Sequence, residues 1–107
     1  ILLSLSVPAG RKGFGYLEQL VELYRQDPSR SLTKELYPEV GLANKTNGAG
    51  MERAVRGVIQ TAWDQRNEAL WRMYFTPSRS GMMPRPTNLA FIATLAEVLG
   101  REEERQA

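Results

Sequence analysis

Residues 49 to 66 read AGMERAVRGVIQTAWDQR, and the fold turns on them. Met51, Val55, Val58, Ile59, Ala62 and Trp63 recur at the i, i+4, i+7, i+8 spacing of a helix with one buried stripe. The opposite side carries Arg53, Arg56, Gly57, Gln60 and Asp64. Such a helix packs its stripe on a core and turns two arginines and a glutamine outward. Arginine and glutamine have the paired donors and acceptors that suit base edges in the major groove. A merely solvated polar face has the same look, so the flanking sequence must separate the two.

Upstream, Pro38 to Lys45 predicts a short helix, and Asn44-Lys45-Thr46-Asn47-Gly48 a tight turn. A short helix, a turn and a longer amphipathic helix make a helix-turn-helix. Gly41 lets the two helices approach closely, and Val40, Met51 and Val55 are apolar where they must pack. In this arrangement the start of the second helix points into the groove. Ala49, Gly50, Glu52 and Arg53 then stand near base edges, with Arg56 and Gln60 toward the backbone and Lys45, Thr46 and Asn47 in the turn. Glu52 and Arg56 are four apart and also suit an i, i+4 ion pair.

Working outward, Ile1, Leu2, Leu3 and Leu5 look like the last turns of a helix closed by Val7-Pro8-Ala9-Gly10. A second helix is expected from Lys12 to Gln26, with Phe14, Leu17, Leu20, Val21 and Tyr24 as its stripe, ended by Asp27-Pro28-Ser29. Ser31 or Thr33 can cap the next stretch, which Pro38 interrupts. Asn67 caps a helix whose Leu70, Trp71, Tyr74 and Phe75 face inward with Trp63. Residues 76 to 86, TPSRSGMMPRP, form a loop with arginines and no acid; Arg79 and Arg85 there are candidate phosphate or partner contacts. Arg11 and Lys12 are candidate phosphate contacts or a solvated helix start. Thr87 or Asn88 caps a last helix with Leu89, Ile92, Leu95, Ala96 and Leu99 as its core face. Gly100 is the expected stop, and residues 101 to 107 a frayed charged tail. No strand alternation appears. The expectation is one all-α domain over residues 1–107, with about six helices around a central helix-turn-helix.

Composition narrows the chemistry. The 107 residues hold 42% apolar and 24% charged side chains, ordinary for a soluble domain with one modest core. There is no cysteine or histidine, so thiolate chemistry, the commonest general base and the commonest metal ligand are missing. The reading is of a non-enzyme without cofactor or metal, cytoplasmic and away from membranes. The chain begins with Ile in the middle of an apolar pattern, and a piece of a longer polypeptide is expected. The formal charge is +2, with residues 97 to 107 at −2 and the preceding body at +4. A mildly basic body suits a polyanion partner without demanding one.

Several words in order carry a resemblance: V-P-A at 7 to 9, Lys12-Gly13, Tyr16-Leu17, and S-L-T-K-x-L-Y-P at 31 to 38. E-R-A-V-R at 52 to 56, Ala62-Trp63, P-T-N at 86 to 88 and Phe91-Ile92-Ala93 follow. The chain resembles the C-terminal effector domains of the sporulation response regulators, the stage-zero sporulation protein A family. The resemblance implies a six-helix DNA-binding domain that follows a receiver domain of a two-component system. It implies binding to promoter boxes, often as a tandem homodimer, and contact with RNA polymerase through its sigma subunit. By motif match, Glu52 and Arg53 are base-reading residues, and Arg56 is a phosphate or base contact. This chain departs from the pattern at Gly50, where the family usually carries a basic residue. It departs again at Leu42, Ala43 and Asn44, where two lysines and a phenylalanine are usual. A helical protein-interaction module that kept the fold and lost groove reading is the alternative.

Overall fold

Five α-helices and no strand are found among residues 1–106, which the computed structural model describes. They are α1 (Lys12–Gln26), α2 (Tyr37–Ala43), α3 (Gly48–Asp64), α4 (Glu68–Tyr74) and α5 (Asn88–Gln106). The all-α expectation holds, with five α-helices in place of about six. The difference lies in two short segments. Residues 1 to 5 make a single helical turn, Leu5 N–H to Ile1 carbonyl at 3.1 Å. It closes through Val7 N–H to Leu2 and Ser6 N–H to Leu3, with Ser6 in the left-handed region at φ 69°. Leu32–Leu36 is a π turn. Ser31 caps it by accepting from Lys34 N–H at 3.1 Å, and Glu35 accepts from Ser31 N–H at 2.8 Å in return.

α3 is the element the others surround. Its Met51, Val55, Val58, Ile59 and Ala62 are buried along one stripe, with Trp63 packed against the same core at its edge. α1 crosses α3 and also lies along α5. Leu17, Leu20 and Val21 of α1 are buried, as are Phe91, Ile92, Leu95 and Ala96 of α5. The α1 crossing is close because Gly13 has no side chain. A Cβ there would stand 2.6 Å from the Ala54 carbonyl oxygen and 2.8 and 2.9 Å from the Val58 methyls. Trp71 of α4 is fully buried, stacked on Phe75 at 4.9 Å and edge-on to Trp63 at 5.8 Å. Its indole N–H donates to the Leu5 carbonyl at 3.2 Å, tying α4 to the first turn of the chain.

The caps fall as expected at Asn67, which accepts from Leu70 N–H, and at Thr87, which accepts from Ala90 N–H, both at 3.1 Å. Two expectations for α5 need correction. Leu89 is 49% exposed. The first turn of α5 overhangs a cleft beside Leu32 and Arg85, so no element covers it. Gly100 does not end the helix, which continues through the charged segment to Gln106. A glycine in a helix interior costs only about 1 kcal/mol. The Arg101–Glu97 pair within α5 and the Arg25–Glu103 pair from α1 oppose that cost. Among the described residues, no helix is long and apolar enough to cross a membrane.

Candidate nucleic-acid interface

The turn between α2 and α3 is built by backbone bonds. Thr46 N–H reaches the Gly41 carbonyl at 2.9 Å and Lys45 N–H the Leu42 carbonyl at 3.4 Å, which closes α2 in a Schellman arrangement. Gly41 is needed here, since a Cβ would stand 2.9 Å from the Thr46 carbonyl oxygen. Lys45 occupies the left-handed position at φ 59°, where glycine is usual. Its charged side chain is thus held at the tip of the turn against a backbone preference. Asn47 caps α3, accepting from Gly50 N–H at 2.7 Å. That oxygen is committed to the helix, so Asn47 has only its amide NH₂ left to offer.

Arg53 lies exposed in the second turn of α3 and is neither hydrogen-bonded nor ion-paired among the described residues. Glu52 and Arg56 are bonded to each other across one turn, as an i, i+4 pair. Gln60 continues that flank: it donates to Asp64 at 2.8 Å and accepts from Arg85, which the 76–86 loop brings against α3. Arg79 is exposed further out on the loop, with no bond to α3 among the described residues. Lys12 opens α1 beside the Gly13 crossing. These residues form one group around the start of α3 (Lys45, Thr46, Asn47 and Arg53) and a second along its flank (Glu52, Arg56, Gln60 and Arg85). Arg79 stands apart from both.

Gly50 is packed under Thr46. A Cβ at Gly50 would meet the Thr46 hydroxyl at 2.6 Å, a side-chain end that can rotate away. A Cβ there would also stand 3.3 Å from Asn47 Oδ1, the cap acceptor of α3, so a basic residue at Gly50 needs both Thr46 and Asn47 to adjust. Gly50→Arg is expected to tighten duplex binding about tenfold through one added charged contact. A fluorescence-anisotropy titration checks it, and equal affinity for the two proteins counts against an interface at the start of α3.

Asn88 was read only as a possible cap, and its larger role had no local signal. Its amide donates to the Tyr37 hydroxyl at 3.0 Å and to the Glu52 carbonyl at 3.2 Å, joining α5 to α2 and α3. Burial pushes the Tyr37 phenol up, partly opposed by the Asn88 bond and the nearby Arg56 charge, so it stays a neutral hydroxyl. Tyr37, Glu52, Arg56, Arg85 and Asn88 line a shared cleft of about 380 Å³.

The charges are sorted. Arg25, Arg30, Arg56, Arg66, Arg72 and Arg101 each have a carboxylate partner. Of the eight cations with none within 4.0 Å among the described residues, Arg11, Lys12, Lys45, Arg53 and Arg85 lie on or near α3 and its turn, while Lys34, Arg79 and Arg105 lie elsewhere. The acidic end of α5 is remote from this side, with Glu103 roughly 22 Å along the helix from Asn88 at 1.5 Å per residue. Unneutralised cations thus line α3 from its turn, at Lys45 and Arg53, to its later turns, where Arg11 and Arg85 meet Thr61 and Gln60.

The profile of the family described as Sporulation initiation factor Spo0A C terminal matches residues 1–99. The chain belongs to this family. Spo0A C-terminal domains are DNA-binding output domains of sporulation regulators, and the family is not one of known enzymes. Leu42 is 83% exposed on α2. Its side chain adds apolar surface beside the turn and no charge.

Proposed function

We propose that this chain is a sequence-specific, double-stranded DNA-binding output domain of a sporulation-type response regulator, with the start of α3 in the major groove. The observation that carries the reading is the gathering of carboxylate-free cations around α3 and its turn, in a Spo0A C-terminal fold. Arg53 is the principal base reader, because its guanidinium is exposed and uncommitted. Glu52 reads a neighbouring base edge as an acceptor, held in place by Arg56. Lys45 and Thr46 serve the phosphate backbone at the turn, and Arg56, Gln60 and Asn47 serve it or the base edges. Lys12 and Arg85 flank them. Arg79 is assigned to the phosphates or to a partner protein. The sigma subunit of RNA polymerase and a second copy in tandem on DNA are the partners proposed from the family, in the cytoplasm.

Selection from random duplexes tests the reading directly. An enriched motif is expected, and its affinity should fall steeply with salt as neutralised phosphates release counterions. Arg53→Ala should lose roughly 1–3 kcal/mol of discrimination at one base pair, as a good arginine–guanine contact does. Selection that enriches no motif rules the sequence-specific form out. The exposed Leu42 favours a second reading, a protein-interaction module that no longer reads DNA. It predicts no duplex affinity even at low salt.

A further inference from the structure

We propose that Arg11, outside the helix-turn-helix, binds one phosphate of the DNA strand running beside α3, and that Gly57 is the notch in which its guanidinium lies. The inference rests on the DNA-binding reading above and adds to it a contact that the helix-turn-helix pattern does not contain.

Arg11 immediately precedes α1, two residues ahead of the Gly13 crossing. Because Gly13 sits directly on the Ala54 carbonyl and the Val58 methyls, the backbone at Arg11 is delivered against α3 in a fixed register. From there the side chain runs across α3. Its Nη1 donates to the Thr61 hydroxyl at 2.9 Å, and Thr61 in turn donates to the Gly57 carbonyl at 3.1 Å. The other end of the guanidinium, Nη2, stands 3.0 Å from where a Cβ of residue 57 would be. Gly57 lies one helical turn beyond Arg53, on the same polar side of α3. A guanidinium has five N–H donors. Here its one hydrogen-bond acceptor among the described residues is a neutral hydroxyl, and no carboxylate lies within 4.0 Å. The group is oriented by the protein and left unneutralised. Arg11 is exposed and its remaining donors have no partner among the described residues, and a phosphodiester is the anion that a neighbouring groove would present.

The test is a double-mutant cycle between Arg11 and Gly57, read by duplex affinity against salt and by thermal melting. Arg11→Ala should weaken every duplex alike, about tenfold, and make the slope of log K on log salt shallower by about one, the signature of one phosphate contact. Gly57→Ala should raise the melting temperature, since alanine is the better helix former. It should nevertheless weaken binding several-fold by displacing Arg11, and weaken it no further when Arg11 is already alanine. An unchanged salt slope in Arg11→Ala overturns the proposal. So does a Gly57→Ala loss of equal size in both backgrounds, because the glycine would then be making room for DNA itself. If the parent chain binds no mixed-sequence duplex at low salt, the DNA reading falls and this inference with it. Binding that survives Arg11→Ala unchanged removes only the inference.

Discussion

Trp71→Ala should destabilise the domain by about 3–5 kcal/mol, the usual range for emptying a buried aromatic site. Trp71 is fully buried against Trp63, Phe75 and Phe91, at ring separations of 5.8, 4.9 and 5.9 Å. Truncation removes those contacts and also leaves the Leu5 carbonyl, 66 residues away in sequence, without its indole partner. Small domains have a total stability of about 5–15 kcal/mol, so a large share of it would be lost. Trp71→Phe separates the two effects: it keeps most of the ring volume and forfeits the hydrogen bond, at about 1–3 kcal/mol. Urea unfolding followed by far-ultraviolet circular dichroism measures both. A midpoint for the alanine variant within error of the parent would show that α4 and the first turn are not part of the cooperative core.

Gly13→Ala has the second largest expected effect, although it adds a single methyl. The atoms in its way are the Ala54 carbonyl oxygen and the Val58 methyls, and the carbonyl cannot rotate aside because it belongs to the backbone of α3. α1 must therefore shift as a body. Overpacking of this kind costs roughly 1–3 kcal/mol. Each kcal/mol corresponds to about 4–8 °C in a domain near this size, so melting should fall by roughly 4–24 °C. Gly15 supplies the control on the same helix. No atom lies within 4 Å of a Cβ there, so Gly15→Ala should stabilise by up to about 1 kcal/mol. Opposite signs two residues apart identify the crossing as the cause. A Gly13→Ala variant that melts with the parent would show that α1 does not sit this close to α3.

The parts of this fold that could be read in advance are those set by periodicity and capping. The α3 stripe, the span of α1 and the caps at Asn67 and Thr87 depend on residue type at short spacing, which a sequence displays directly. What eluded reading depends on distant partners. Leu89 has the right phase for the core face of α5, yet nothing is placed over it. Gly100 looks like a stop, but α5 passes it, and Arg25 of α1 pairs with Glu103 beyond it. Lys12-Gly13 reads as a helix start, and only the crossing explains why glycine is there. At the candidate interface, Arg53 and Arg56 are exposed on the side of α3 opposite its buried stripe, as the periodicity requires. Their commitments were not legible, because an arginine letter does not say whether a carboxylate, a glutamine or solvent faces it. Arg53 and Arg56 carry the same side chain, and only the second is neutralised.

Asn88 has a consequence for how tightly the domain can hold a partner. One amide group bonds the Tyr37 hydroxyl of α2 and the Glu52 carbonyl of α3 while belonging to α5. Changing the angle between the two helices of the turn means giving up one of those bonds. The backbone angle of the candidate interface is thus tied down from α5, while exposed side chains such as Arg53 still have their own freedom to lose on association. Variants that loosen this joint should show their cost as faster dissociation, with the rate of encounter left to the surrounding charge.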